Sequence, residues 1–143
     1  MSNKFIQNIL DKHFVRFTKF AVVGGSGTLV NLGLQYILKE FAGLDYKIAG
    51  TISTEISIVT NFLLNNFWTW RDLPANDRKT FFIRLLRYNS SMIGTAVMQI
   101  LIMILLTELL SINDLISKLI AIIIITFVNY LIHHNWTFRS RFK

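Results

Sequence analysis

Apolar residues along this chain gather into four stretches, roughly residues 20–38, 48–70, 88–110 and 115–136, with charge concentrated in the short segments between them. Each stretch is near the roughly 20 residues that an α-helix needs to cross about 30 Å of hydrocarbon. The pattern predicts an all-α integral membrane fold of four transmembrane helices. These use up most of the chain, so residues 1–143 are expected to form a single transmembrane domain with no room for a separate soluble one. Ahead of the first stretch, in NKFIQNILDKHFVRF, Phe5, Ile6, Ile9, Leu10, Phe14 and Phe17 recur at helical spacing while Lys4, Asn8, Asp11, Lys12 and Arg16 fall mostly elsewhere on the wheel. DRKTFFIRLLRY repeats this before the third stretch, with Pro74 in the turn and Asn76 or Asp77 as a cap. Two readings suit both segments: short interfacial amphipathic helices, or the wet ends of the spans themselves.

Composition agrees with a membrane chain. Of the 143 residues 52% are hydrophobic and 13% aromatic, and only 16% are charged, against about 25% in ordinary soluble proteins. Lys19 is followed by a full-length apolar run ending in QYILKEF, longer than the apolar region of a signal peptide and without its cleavage site, so a retained helix is expected. The absence of cysteine removes disulfides and thiolate metal sites, and His13, His133 and His134 are too poorly spaced for a metal site. FAVVGGSGTLVNLGLQY opens like a dinucleotide-binding turn, but Val30 stands where the third glycine of G-x-G-x-x-G belongs. Small residues four apart, Ala21 with Gly25 and Gly24 with Thr28, suggest instead a helix-packing seam.

The net charge of +7 is distributed unevenly. Twelve of the 15 basic residues lie before the first stretch, between the second and third, or after the fourth; only Lys39, Lys47 and Lys118 occupy the other two loops. The positive-inside rule therefore places both termini and the middle loop in the cytoplasm. Topology and attraction to anionic lipid account for the basicity, which removes the case for a nucleic-acid partner.

An internal repeat carries the candidate chemistry. NFLLNNFWTWR (residues 61–71) aligns without gaps on NYLIHHNWTFR (129–139), matching Trp68, Thr69 and Arg71 to Trp136, Thr137 and Arg139. Gly27 with Thr28 and Gly94 with Thr95 echo each other more faintly in the first and third stretches, each behind a basic, aromatic lead. Two-span units return to the side they start from, so the halves are expected to be parallel repeats about an axis along the membrane normal. Asn61, Asn65 and Trp68, like Asn129, His133 and Trp136, are spaced i, i+4, i+7 and are expected to share one face. Arg71 and Arg139 suit a phosphate, which a guanidinium grips with two donors; tryptophan belts and snorkelling arginines also mark ordinary membrane boundaries. Glu55 is the only acidic residue well inside a stretch, where a carboxylate costs about 2.5–3.5 kcal/mol at mid-bilayer on translocon-type scales. It suits a proton site or a sugar-hydroxyl acceptor, or it lies near the outer surface. Asn31 and Gln35 share a face of the first stretch, Gln99, Ser90, Ser91 and Thr95 occupy the third, and gluing helices is the default role for all of them.

The two pairs of spans, the lead RFTKFAVVGGSGTLVNLGL and the endings NFLLNNFWTWR and NWTFR resemble the GtrA-like family of small membrane proteins, over roughly residues 14–140. The resemblance implies a role in cell-surface polysaccharide modification, such as teichoic acid or O-antigen glycosylation. It implies a flippase for a sugar on polyprenyl phosphate, working beside a polyprenyl-phosphate glycosyltransferase. On that expectation Arg71 and Arg139 meet the phosphate, Trp68, Trp70 and Trp136 stack on the sugar or anchor the interface, and Asn61, Asn65, Asn129, His133, Asn31, Gln35 and Glu55 line the groove. No phosphate-binding loop for ATP and no catalytic triad is visible, so neither an enzyme nor a cofactor is expected. Two alternatives stand beside it: a small proton-coupled exporter using Glu55, and a non-transporting membrane anchor for a glycosyltransferase. Four helices make a thin wall around a sugar, which favours a homo-oligomer.

Overall fold

A computed structural model describes residues 2–139, and among them the regular structure is helical throughout. Helix α1 spans Ser2–Glu40, α2 Tyr46–Leu64, α3 Arg78–Ile104 and α4 Asp114–Ile132; π-helical turns Asn65–Thr69, Leu105–Leu109 and His133–Thr137 extend α2, α3 and α4. The chain divides after Pro74 into two compact units, each a helical hairpin: α1 with α2, and α3 with α4.

The basic leads are the first turns of α1 and α3 rather than separate surface helices, because no glycine or proline interrupts either lead. At a rise of about 1.5 Å per residue, α1 is roughly 58 Å long, nearly twice the hydrocarbon thickness, so its polar lead prolongs the apolar part as a wet end. Asp77 begins α3, its carboxylate accepting from the Thr80 amide (2.8 Å) and hydroxyl (2.7 Å). Those bonds, the one to the amide foremost, hold its carboxyl below the ordinary value. Asp45 caps α2 through the Lys47 amide at 2.9 Å.

Both hairpins are closed by one device. Gly43, at φ +65°, lets the Leu44 amide reach back to the Leu38 carbonyl (3.1 Å), and Ser111, at φ 53°, does the same for Ile112 and Leu106 (3.1 Å). This is the left-handed closure of a helix end, for which glycine is the strain-free residue.

Among the described residues, three helices are long and apolar enough to cross a membrane, over Leu10–Glu40, Arg78–Leu109 and Ile116–Thr137. The fourth expected span is the exception, because α2 alternates its isoleucines with Lys47, Thr51, Ser53, Thr54, Glu55, Ser57 and Asn61. Part of that polarity faces α1: Ala49, Ser53, Ser57 and Asn61, four residues apart, form a buried stripe along α2. The Ser57 hydroxyl donates to the Gly27 carbonyl (2.7 Å), and Asn61 presses so closely on Gly27 that a Cβ there would overlap its amide head. The packing seam therefore runs through Gly27. The sequence spacing had pointed to Gly24 and Gly25, yet both are exposed with nothing within 4 Å of a Cβ, because α2 makes its close approach further along α1, at Gly27.

Candidate functional site

At the open end of the first hairpin, away from the Gly43 turn, the π-turn at Asn65–Thr69 decides which way the side chains point. One residue more per turn shifts the phase of everything after it. The Asn65 carbonyl accepts from the Trp70 amide at 2.9 Å. Trp70 is fully buried, edge-on to Phe20 at 5.8 Å, so it belongs to the core and is no stacking platform for a ligand. Trp68 faces outward, 40% exposed, with the Lys19 ammonium 5.5 Å from its ring centroid. Asn61 and Asn65 lie inside the hairpin; the Asn65 carboxamide oxygen accepts from Thr69 (2.8 Å), while that of Asn61 meets no donor among the described residues. The expected shared face of Asn61, Asn65 and Trp68 is thus split by the altered helical pitch.

The second hairpin repeats this geometry at one constant offset in sequence. The His133 carbonyl accepts from the Phe138 amide at 2.9 Å, and Phe138 is fully buried where Trp70 is in the first. Trp136 is 45% exposed; the Arg87 guanidinium lies 5.3 Å from its ring centroid and donates to its carbonyl at 3.0 Å. Asn129 is buried and accepts from Thr95 at 2.8 Å. His133 is buried too, stacked on Tyr88 at 4.2 Å and bonded through Nδ1 to Thr137 at 3.0 Å. Arg84, buried like its counterpart Arg16, faces the Phe138 ring at 5.6 Å. Asn129 and His133 therefore sit in the hairpin interior, as Asn61 and Asn65 do.

The two arginines of the W-T-x-R motifs are both exposed. Arg71 lines a cleft of about 380 Å³ with Asp11, Lys12, Arg16, Lys19, Trp68 and Asp72. Asp72 pairs with Arg16 and, at 3.1 Å, with Lys12. Partial burial alone would raise its carboxyl, but the hydrogen bond from Lys12 and the charge of Arg16 outweigh that and lower it. Arg139 is the last described residue.

The remaining expected residues meet at the other end of the first hairpin. Glu55 lines a groove of about 460 Å³ with Asn31, Gln35, Tyr46, Lys47, Thr51 and Thr54. Asn31 accepts from Ser53 (2.8 Å) and donates to Thr54 (3.3 Å), which fixes its amide in the groove wall. Along α1 this lies about 18 Å from the Lys19 level at the helical rise of ~1.5 Å. The site residues thus separate into a cationic, indole-bearing end, a hydroxyl- and amide-lined groove, and four buried polar posts. Lys19 and Arg87 were not singled out as partners of the tryptophans; their equal spacing from Trp68 and Trp136 was the available signal.

A model of the GtrA/DPMS transmembrane domain matches residues 19–138. The chain is 33% identical over 125 residues to a dolichol-phosphate mannosyltransferase of Pyrococcus furiosus, covering 87% of this chain and 34% of that protein. It is 30% identical over 118 residues to the cell wall teichoic acid glycosylation protein GtcA of Listeria monocytogenes serovar 1/2a, covering 78% and 76% respectively. To the GtcA protein of Listeria innocua serovar 6a it is 26% identical over 129 residues, covering 85% and 83%. The chain spans about a third of the mannosyltransferase and about three quarters of the first GtcA protein. With three helices apolar enough to span a bilayer and a family match over most of its length, it is a multi-pass membrane protein that belongs to the GtrA/DPMS transmembrane domain family.

Proposed function

We propose that the chain translocates a polyprenyl-phosphate-linked sugar across the plasma membrane for glycosylation of a cell-surface polymer such as teichoic acid. A separate glycosyltransferase makes the lipid-linked sugar. All four helices span the bilayer as two parallel hairpins, with both chain ends and the 70–77 loop in the cytoplasm, where the positive charge lies. One observation carries the reading: each hairpin ends, at matched positions, in an exposed tryptophan covered by a cation and followed three residues later by an exposed arginine. A polyprenyl-phosphate sugar has an anionic group at headgroup depth and a hydroxyl-rich head beside it. Guanidinium groups bind phosphate oxygens in pairs, and indole faces suit sugar rings. The groove of Asn31, Gln35 and Glu55 offers acceptors and donors for sugar hydroxyls deeper along α1, and a homo-oligomer would shield it from lipid. The names of the relatives support the same chemistry, one referring to a dolichol phosphate and a sugar, the others to teichoic acid glycosylation.

The test is transbilayer movement. Purified protein in liposomes is expected to speed the movement of a fluorescent polyprenyl-phosphate sugar. Arg71→Ala and Arg139→Ala are each expected to slow it about tenfold, the loss of one charge-assisted contact, while helical content is kept. Movement no faster than in empty liposomes refutes translocation. If a glycosyltransferase then co-purifies and gains activity, the protein is an anchor; if deletion instead sensitises cells to toxic cations with glycans unchanged, it is an exporter.

A further inference from the structure

The cationic cleft of the first hairpin already holds an anion, and that anion belongs to the protein. Arg16, only 7% exposed, and Lys12 both engage the Asp72 carboxylate. Lys19 and Arg71 line the same cleft and form no ion pair among the described residues. A carboxylate offers a guanidinium the same pair of oxygens that a phosphate does. Asp72 also lies outside the helices, on the turn closed by the Leu73 amide and the Trp70 carbonyl at 2.9 Å, so it can move without breaking a helical hydrogen bond. The second unit lacks this group in sequence, for the residue after Arg139 is Ser140 where the residue after Arg71 is Asp72. Whatever the carboxylate does, it does in one half.

We propose that Asp72 is a built-in counter-ion occupying the phosphate subsite of the first hairpin, and that a phosphate-bearing lipid enters by displacing its carboxylate from Arg16 and Lys12. This rests on assigning the indole-bearing end to phosphate. Exchange of one anion for another keeps the buried Arg16 charge compensated whether the site is loaded or empty, so its guanidinium never stands desolvated and alone. It also sets a threshold, because the ligand must outcompete a tethered carboxylate. The two matched ends are therefore unequal: the first is self-occupied and the second carries no such competitor in its motif.

The sign of the expected effect separates this role from a structural one. In detergent micelles at low ionic strength, the full chain is titrated with a fluorescent polyprenyl monophosphate. Asp72→Asn is expected to bind it about tenfold more tightly than wild type, or ~1.4 kcal/mol. Asp72→Glu, which keeps the carboxylate, is expected to stay near wild type. Asp72→Ser, which supplies the side chain found after Arg139, serves as an independent second variant and is expected to tighten likewise. A brace that merely held α1 to the loop would weaken binding when removed. Unchanged or weaker binding in Asp72→Asn and Asp72→Ser, with helical content retained, overturns the proposal. Inorganic phosphate as competitor distinguishes the sources: displacement of the probe at millimolar concentration means the site reads the phosphate group itself, and tightening without displacement means it reads the lipid-borne group. The outcome is separable from that of the translocation assay. Wild type that moves lipid while neither variant tightens loses only the counter-ion, and tightening in a chain that moves no lipid loses only translocation.

Discussion

Replacing Gly27 with alanine adds one methyl group at the closest approach of α1 and α2. The three atoms nearest to a Cβ there all belong to the Asn61 amide head, and Asn61 is buried, so either the head leaves its rotamer or the helices part. Parting them also stretches the bond from Ser57 to the Gly27 carbonyl, 2.7 Å long. Overpacking of this kind costs typically 1–3 kcal/mol, about 2 here. Against it stands the helix preference of alanine over glycine, about 1 kcal/mol. The net expectation is a loss of about 1 kcal/mol. Gly24→Ala gives the control, since nothing lies within 4 Å of a Cβ there: it keeps the ~1 kcal/mol helix gain and has no clash. The two variants should therefore differ by about 2 kcal/mol in reversible unfolding, followed by circular dichroism in mixed micelles of increasing dodecyl sulfate. Adding Asn61→Ala to Gly27→Ala should recover part of the loss by removing the head. Equal stability of Gly27→Ala and Gly24→Ala would refute the close approach, and with it the seam.

Ser111→Gly should raise stability by about 1 kcal/mol in the same assay, because it relieves a left-handed residue without changing the turn, whereas Gly43→Ala should lower it by a similar amount. Thr95→Val keeps the shape of the side chain but removes the donor to Asn129, and is expected to cost about 1–3 kcal/mol as a buried acceptor is left unmade. Asp72 is held below its ordinary value in the folded chain, so its contribution to stability is present above the ordinary carboxylate range near 4 and is lost as pH falls through the lowered value. Wild type should accordingly lose more thermal stability below about pH 4 than Asp72→Asn does; parallel melting curves would count against the ion pair. A double-mutant cycle of Lys19→Ala and Trp68→Ala should show a coupling of about 0.5–1 kcal/mol, the size of an exposed cation–π contact.

The helices and their pairing were legible because hydrophobic clustering and the position of charge act over whole segments. The W-T-x-R motif at residues 68–71 and 136–139 is read directly from the sequence. What the sequence could not convey was helical phase. A uniform pitch carries Trp68 onto the face of Asn61 and Asn65, and only the π-turn, which no residue type announces, turns Trp68 outward and Trp70 inward. The glycines posed the same difficulty: Gly24, Gly25 and Gly27 are equivalent as letters, and only the partner helix makes one of them the point of close approach. The pairing of Arg16 with Asp72 joins residues 56 apart, a distance over which spacing gives no guidance. The polarity of α2 was visible throughout, but that part of it is absorbed by α1 required the stripe of Ala49, Ser53, Ser57 and Asn61 to be seen in place.

The composition of α2 bears on how the chain is made. Under the four-span arrangement proposed above, a segment carrying Glu55, whose carboxylate costs about 2.5–3.5 kcal/mol on translocon-type scales when it lies at mid-bilayer, would partition poorly if presented to lipid by itself. Much of its remaining polarity, Ser53, Ser57 and Asn61, is hidden only when α1 lies against it. The insertion machinery must then release α1 and α2 together, as a hairpin already folded back at Gly43. Weakening that turn should be felt during synthesis, as failed insertion and proteolysis of the nascent first half, before any effect on the finished protein can be measured.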